Sequence, residues 1–288
     1  MLVHIKTLFR KQQTICKKVV LKGAGLHTGE DCLVEILPAE EFHGIIFQKD
    51  GVKIQASADH VTDTSRSTSI SKNGVTIRTV EHLLASLSGM KIDNAFIQVQ
   101  GEEIPAFDGS AQPFCEAILA AGITEQNACI DPIILTRPFV INNKDSTILA
   151  LPSDHLQMRY FLDYNHHMIG SQSAVYRPDT DYFVEKIALA RTFVLYEEVQ
   201  TLRDLDLARG GSLDNVIVIW PDKLSSECRI SNEFACHKLL DLIGDMSLAG
   251  PVIADIIAIK SGHALNTELA LKILNEYKKV SKGALADA

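Results

Sequence analysis

A helix is predicted at Asn232-Glu233-Phe234-Ala235-Cys236-His237-Lys238-Leu239-Leu240-Asp241-Leu242-Ile243-Gly244-Asp245. Its apolar residues recur at spacings near 3.6, the period of an α-helix, and Gly244 lies near a plausible break. His237 and Asp241 are four residues apart, so they stack one turn from each other on one face. That face borders the apolar stripe, where an unpaired charge is unfavourable.

Two interpretations of the pair formed by His237 and Asp241 remain open on this helix alone. In the first, the two side chains satisfy each other at the edge of the core. In the second, they are two ligands of a metal ion, since neutral imidazole is the commonest protein ligand for metals. The helix by itself favours the first interpretation, because most histidines bind no metal, and the choice depends on the rest of the chain.

The composition is that of a globular protein. The chain has 288 residues, enough for two domains, with 46% hydrophobic and 22% charged residues. Its net charge of −8 offers no basic field for nucleic acid. The sequence has neither an apolar run of about 18 residues, as a membrane span requires, nor the apolar core of a secretory signal. We therefore expect a soluble, cytoplasmic protein.

The cysteines give no sign of a structural metal site or a disulfide framework. No two of the six have the Cys-x-x-Cys spacing, which argues against a zinc ribbon. In a chain of this length we expect them to be reduced and partly buried.

A short sequence pattern occurs twice in the chain. Glu81-His82-Leu83-Leu84-Ala85-Ser86-Leu87-Ser88-Gly89 reads as an apolar helix and precedes a predicted strand, as does the segment 236–244. The succession of predicted strands and helices begins again near residues 125–132, where we place a domain boundary. The sequence thus predicts two similar α+β domains, 1–127 and 128–288, each with a sheet and helices.

If the predicted helices at 81–89 and 232–245 lie next to each other in the fold, they form a metal site. His82, His237 and Asp241 would then supply two imidazoles and one carboxylate, which is a catalytic zinc set with one position left for water. The alternative for His82 is a residue at a helix start that is satisfied by backbone. Glu81 is either a general base or simply a favourable charge at the helix N-terminus.

The end of the chain adds a further titratable pair. The segment 252–259 is predicted to be one buried strand, 260–266 a turn, 267–277 the last helix and 278–288 a loose tail. His263 lies in that turn, where functional residues are common. Asp245 could hold the His263 imidazole protonated, as a general acid or an electrostatic support.

Six motifs together resemble the UDP-3-O-acyl-N-acetylglucosamine deacetylase family, the zinc enzymes that commit a sugar to lipid A. The resemblance is collinear from about Gly23 to Leu274. Each motif alone is weak, and their combination is specific. The motifs are Glu81-His82-Leu83-Leu84-Ala85, Ile104-Pro105-Ala106-Phe107-Asp108-Gly109-Ser110, Ala190-Arg191-Thr192-Phe193, Gly210-Gly211-Ser212, His237-Lys238-Leu239-Leu240-Asp241-Leu242-Ile243-Gly244-Asp245 and Ser261-Gly262-His263-Ala264-Leu265-Asn266.

The resemblance implies a fold and a set of catalytic roles. The two domains would pack helix face to helix face around the site. The zinc ligands would be His82, His237 and Asp241. Glu81 would activate water, and Thr192 would help to stabilise the oxyanion. His263, supported by Asp245, would protonate the leaving amine or stabilise charge.

The resemblance also implies a substrate site for a small UDP-acyl-sugar in a monomeric enzyme. Lys238 would lie in that site, Tyr160 would face the uracil and Lys260 would meet the diphosphate. An insert at about 192–220, which begins with Thr192 and Phe193, would form an apolar passage for the acyl chain. Its apolar side chains are also consistent with ordinary core, and that interpretation stays open for about half of them.

Two positions depart from the family pattern. Ser67 stands where a cysteine near the metal is frequent, and Val194 stands where glycine is common.

Two alternatives to the deacetylase also remain. One is a zinc hydrolase for another amide or nucleotide, which would lack an apolar passage, and the other is a non-enzymatic module that binds a sugar nucleotide or acyl group, which would lack a tightly bound metal.

Overall fold

The computed structural model describes the backbone of residues 10–286 and the side chains of residues 10–279. The helices are α1 (Glu81–Gly89), α2 (Gln112–Ala121), α3 (Thr180–Tyr182), α4 (Tyr196–Asp204), α5 (Glu233–Ser247) and α6 (His263–Ala286), with a 3-10 turn at Ala58–His60 and a π-helical turn at Phe183–Ile187. The strands are β1 (Lys11–Ile15), β2 (Val19–Ala24), β3 (Asp31–Pro38), β4 (Ile45–Lys49), β5 (Val52–Gln55), β6 (Val61–Asp63), β7 (Ser69–Lys72), β8 (Val75–Ile77), β9 (Ala95–Gln100), β10 (Ile123–Cys129), β11 (Ile133–Ile134), β12 (Phe139–Asn143), β13 (Ser146–Leu151), β14 (Gln157–Asp163), β15 (Ser171–Tyr176), β16 (Phe193–Leu195), β17 (Ile217–Ile219), β18 (Val252–Ile253) and β19 (Asp255–Ile259).

Two five-stranded sheets of identical topology form the framework. The first has the order β2-β3-β9-β4-β5 and the second the order β12-β13-β19-β14-β15. In each, the central strand is parallel to one neighbour and antiparallel to the other. A helix precedes that strand, α1 before β9 and α5 before β19, and another follows it. The predicted α+β fold with two similar halves is confirmed.

The exact boundary at 127/128 stays a prediction. Strand β10 runs to Cys129 and pairs with β1 at the start of the chain. The six cysteines are free, as expected from their spacing.

Helices α1 and α5 pack directly against each other between the sheets. Gly244 on α5 approaches so closely that a Cβ atom there would lie 2.1 Å from the Glu81 carbonyl oxygen on α1. Both helices are buried along nearly their whole length, which explains why their apolar residues extend beyond a single stripe. The contact brings the histidine near the start of each helix toward the other.

Each half carries an insert at the same place, between its last sheet strand and its buried helix. In the first half the insert is the small sheet β6-β7-β8. In the second half, β16 and β17 pair in parallel on either side of α4. The second insert falls within the segment 192–220.

Two expectations for the end of the chain were wrong. The segment 252–259 forms two strands, because β18 pairs with β11 while β19 enters the second sheet. The last helix begins at His263, not at Thr267, and its backbone continues to Ala286, where a tail was expected. His263 and Asn266 in its first turn both bond to Asp245, and these polar residues after Gly262 resembled a turn in the sequence. Residues 287–288 lie outside the described part of the chain.

Over residues 10–286, no helix has both the length and the apolar character that crossing a bilayer requires.

Replacing Gly244 by alanine is expected to destabilise the fold by about 2 kcal/mol, since the added methyl group must push α1 and α5 apart. In a free helix the same change would stabilise by about 1 kcal/mol. Urea unfolding measures the difference. Gly262→Ala is the control, because a Cβ atom there would meet no atom of the described residues within 4 Å. Equal stability of the Gly244→Ala variant and the wild type would contradict the close packing.

Candidate active site

Three buried side chains from the two halves converge where α1 meets α5. One potential ligand atom from each of His82, His237 and Asp241 lies within 4.8 Å of the others. The Asp241 Oδ1 atom is 3.5 Å from His82 Nε2 and 3.6 Å from His237 Nε2. The predicted convergence of these residues is therefore present in the fold.

The orientation of His237 is fixed by backbone. Its Nδ1 atom lies 3.2 Å from the Ala190 carbonyl oxygen, which leaves Nε2 directed at Asp241. Burial lowers the pKa of His237 to about 3, so the ring is neutral, as a metal ligand must be. A backbone partner on the other nitrogen is the arrangement that orients metal-ligating histidines.

Asp241 is kept ionised although it is buried. Burial alone would raise the pKa of its carboxyl, but the Lys238 ammonium and His237 hold that pKa well below its usual range. Lys238 Nζ donates to Asp241 Oδ2 at 2.8 Å. The same pairing outweighs desolvation and raises the pKa of Lys238.

This donor set fits a zinc ion. Tetrahedral coordination with bonds of about 2.0–2.1 Å places ligand atoms about 3.4 Å apart, close to the two separations at Asp241 Oδ1. Two imidazoles and one carboxylate also match a catalytic zinc site with one open position. His82, His237 and Asp241 are thus able to hold a metal.

Glu81 begins α1 beside this group. Its Oε2 atom accepts a hydrogen bond from the Thr68 backbone N–H at 3.0 Å. Burial raises the pKa of the Glu81 carboxyl to about 7, and the positive charge of His263 opposes that rise. A carboxyl group tuned in this way can take up and release a proton near neutral pH.

His263 and Asp245 form the expected pair. His263 Nδ1 lies 2.9 Å from Asp245 Oδ2, and His263 Nε2 is 4.0 Å from Asp241 Oδ2. Burial alone would lower the pKa of the imidazole, but the Asp245 carboxylate outweighs it and raises that pKa to about 9. His263 is therefore protonated at neutral pH.

Two residues of the site escaped prediction. Thr68 donates its hydroxyl to Asp245 Oδ1 at 2.6 Å and its backbone N–H to Glu81. Asn266 donates its side-chain amide to Asp245 Oδ2 at 2.9 Å. Asn266 ends one of the six motifs, and Thr68 follows Ser67, one of the two positions that depart from the family pattern. Neither polar side chain indicated which partner it would meet.

A cavity of about 850 Å³ adjoins the site. Lys238, His263 and Thr192 form part of its wall near the metal-binding group. The second insert supplies apolar wall residues, namely Phe193, Val194, Val199, Leu202, Leu213, Val216 and Val218. The Lys238 ammonium lies 5.8 Å from the centre of the Phe193 ring. We call the part of the wall formed by these insert residues the apolar end, and the part that contains Lys238, Lys260 and His263 the charged end.

The remaining predicted substrate residues lie at the charged end of this cavity. Lys260 lines it, with Nζ 4.0 Å from Asp163 Oδ2. Tyr160 also belongs to the wall, but the residue is only 1% exposed and its hydroxyl donates to the Ser261 carbonyl oxygen. Its role against a base stays a prediction. His27 also lines the cavity and is buried.

Comparison with known proteins gives consistent matches along the chain. The family model described as UDP-3-O-acyl N-acetylglycosamine deacetylase matches residues 12–275. The UDP-3-O-acyl-N-acetylglucosamine deacetylase of Myxococcus xanthus (strain DK1622) is 39% identical, with 92% of this chain and 87% of the relative covered. The proteins of that name from Chlamydia pneumoniae and Saccharophagus degradans are 40% and 38% identical, covering 93% and 92% of this chain and 98% and 91% of the relatives. The family resemblance first inferred from six motifs is thereby confirmed, and the chain belongs to the UDP-3-O-acyl-N-acetylglucosamine deacetylase family.

Proposed function

We propose that this chain is a zinc-dependent deacetylase that acts on UDP-3-O-(3-hydroxyacyl)-N-acetylglucosamine. It would hydrolyse the N-acetyl amide to a free amine and acetate, the committed step of lipid A biosynthesis. The observation that carries the proposal is the buried group of His82, His237 and Asp241, which fits a metal and lies beside a cavity in a chain of this family.

Zinc is the expected cofactor. His82, His237 and Asp241 would hold it, and a bound zinc ion would supply a Lewis acid that polarises the amide carbonyl and makes water a stronger nucleophile at neutral pH. Lys238, already paired with Asp241, would balance the charge of that carboxylate and lie against the substrate.

Proton transfers would involve two groups that lie beside the metal-binding residues, Glu81 and His263. Glu81 would take a proton from the attacking water as its oxygen bonds to the carbonyl carbon. The amide C–N bond then breaks, and His263, protonated and held by Asp245, would deliver a proton to the leaving nitrogen. Thr192, in the wall between these groups and the insert, would stabilise the developing oxyanion.

The two ends of the cavity suit the two ends of this substrate. The apolar end, which contains Phe193, would receive the acyl chain, and Lys260 at the charged end would meet the diphosphate. Tyr160 would pack near the uracil. The cytoplasmic location, the monomeric state and the lack of a nucleic-acid partner remain predictions of the sequence.

Metal content and deacetylation measured together test this function. We expect one zinc per chain, with acetate release from the UDP-acyl-sugar abolished by a chelator and restored by zinc. Metal binding without acetate release would reject the substrate, and another amide or nucleotide would then be tried. Absence of both would reject the enzyme and favour a binding module.

Replacing Glu81 by glutamine is expected to reduce kcat by roughly a hundredfold to ten-thousandfold, because the amide cannot accept the proton of water. Its carbonyl oxygen can still accept the Thr68 N–H, so the fold and the zinc content should remain those of the wild type. Single-turnover acetate release and metal analysis measure both effects. A kcat close to the wild-type value would refute Glu81 as the base.

Replacing His237 by alanine is expected to abolish stoichiometric zinc binding, since it removes one of three protein ligands. Metal analysis after dialysis against a weak chelator measures the loss. His155→Ala is the matched control, because the His155 side chain is 56% exposed and its polar contacts within residues 10–279 are with the adjacent Asp154 and with Ser153. Full zinc content in the His237→Ala variant would reject the ligand assignment.

A further inference from the structure

An ion pair joins the two inserts at the cavity. Arg66 belongs to the insert of the first half and Glu198 lies on α4 in the insert of the second half. Their side chains meet with Arg66 Nη2 3.0 Å from Glu198 Oε1. The pair thus connects segments that are far apart in sequence and occupy equivalent places in the two halves.

The ion pair lies beside the apolar end of the cavity. Arg66 is itself part of the cavity wall. Glu198 immediately precedes Val199 and lies one helical turn from Leu202, and both of these apolar residues line the cavity. The ion pair therefore links the helix that carries these two apolar residues to the insert of the first half.

The backbone around Arg66 holds the side chain in place. Arg66 adopts a left-handed conformation with φ of 70°, which is uncommon outside glycine and frequent at constrained functional segments. Two residues later, Thr68 is bonded to both Glu81 and Asp245. The loop is therefore fixed at the catalytic end, and Arg66 extends from this anchor to α4.

We propose that Arg66 and Glu198 form a clasp that closes the apolar end of the cavity over a fatty acyl chain. Naming the acyl chain as the occupant rests on the proposed function. Both side chains are partly exposed, 48% and 38%, and an exposed ion pair changes an equilibrium by up to about fivefold. A contact of that strength opens readily, as release of the deacetylated product requires. The two residues act on retention of the chain and take no part in the chemistry.

Dissociation of cis-parinaric acid, a fluorescent fatty acid, tests the clasp without any need for turnover. We expect Arg66→Ala and Glu198→Ala each to raise its dissociation rate constant about threefold in stopped-flow displacement. The double variant should be no faster than either single variant, because the two changes remove one interaction. Exchange of the two charges, Arg66→Glu with Glu198→Arg, should restore slow dissociation.

A different role for Arg66 gives a different result. If Arg66 bound the fatty acid carboxylate directly, Glu198→Ala would free the guanidinium and slow dissociation, and this outcome overturns the clasp. Unchanged rates, additive effects of the two changes, or no saturable binding to the wild-type protein also overturn it. Lys18→Ala is the matched control, since the pair of Lys18 and Glu35 is a similar exposed ion pair on the first sheet.

Acetate release by the wild-type protein separates this proposal from the proposed function. With the UDP-acyl-sugar as substrate, the clasp predicts that Arg66→Ala raises KM about threefold for a long acyl chain and leaves it unchanged for a short one. If the variants release the fatty acid as the clasp predicts but the wild-type protein releases no acetate, the deacetylase is rejected and the clasp is retained. Acetate release with identical KM values for Arg66→Ala and wild type would reject the clasp and retain the deacetylase.

Discussion

The approach of α5 to α1 at Gly244 governs the arrangement of the site. With no side chain at Gly244, the α5 backbone lies against the Glu81 carbonyl, and this brings His82 and His237 to a ring separation of 5.2 Å. The two imidazoles come from different halves of the chain, so their spacing depends on the distance between the helices as well as on the contact that orients the His237 ring. Glu81, on the same turn of α1, is set relative to the other groups by the same contact.

Buried charge is the second constraint, and the site satisfies it by pairing. Asp241 is balanced by Lys238, and His263 is balanced by Asp245, which also accepts hydrogen bonds from Thr68 and Asn266. A carboxylate with several donors keeps its charge in a low-dielectric interior, where an unpaired one would take up a proton. The result is an ionised carboxylate, a neutral imidazole and a protonated imidazole within one small volume, each fixed by its own neighbours.

The sequence predicted those parts of the structure whose signal lies in residues close together along the chain. The helical period revealed both marked helices, and the repeated histidine pointed to duplicated halves. Strand order was not predictable, because pairing such as that of β19 with β13 and β14 joins residues distant in sequence. Thr68 was missed for the same reason: its partner Asp245 is 177 residues away. The start of α6 was missed because Gly262, His263 and Asn266 resembled a turn, whereas His263 and Asn266 bond to Asp245 on α5.

Because the chain consists of two halves of identical sheet topology, the active site forms only when the two halves come together during folding. The first half contributes His82 and Glu81, and the second contributes His237, Asp241 and His263, so neither half contains a complete set. A metal held by these residues would act as a non-covalent cross-link between the halves and would add its binding free energy to their docking. Reactivity would then emerge only after both halves have folded and docked, which keeps a partly folded chain from hydrolysing anything.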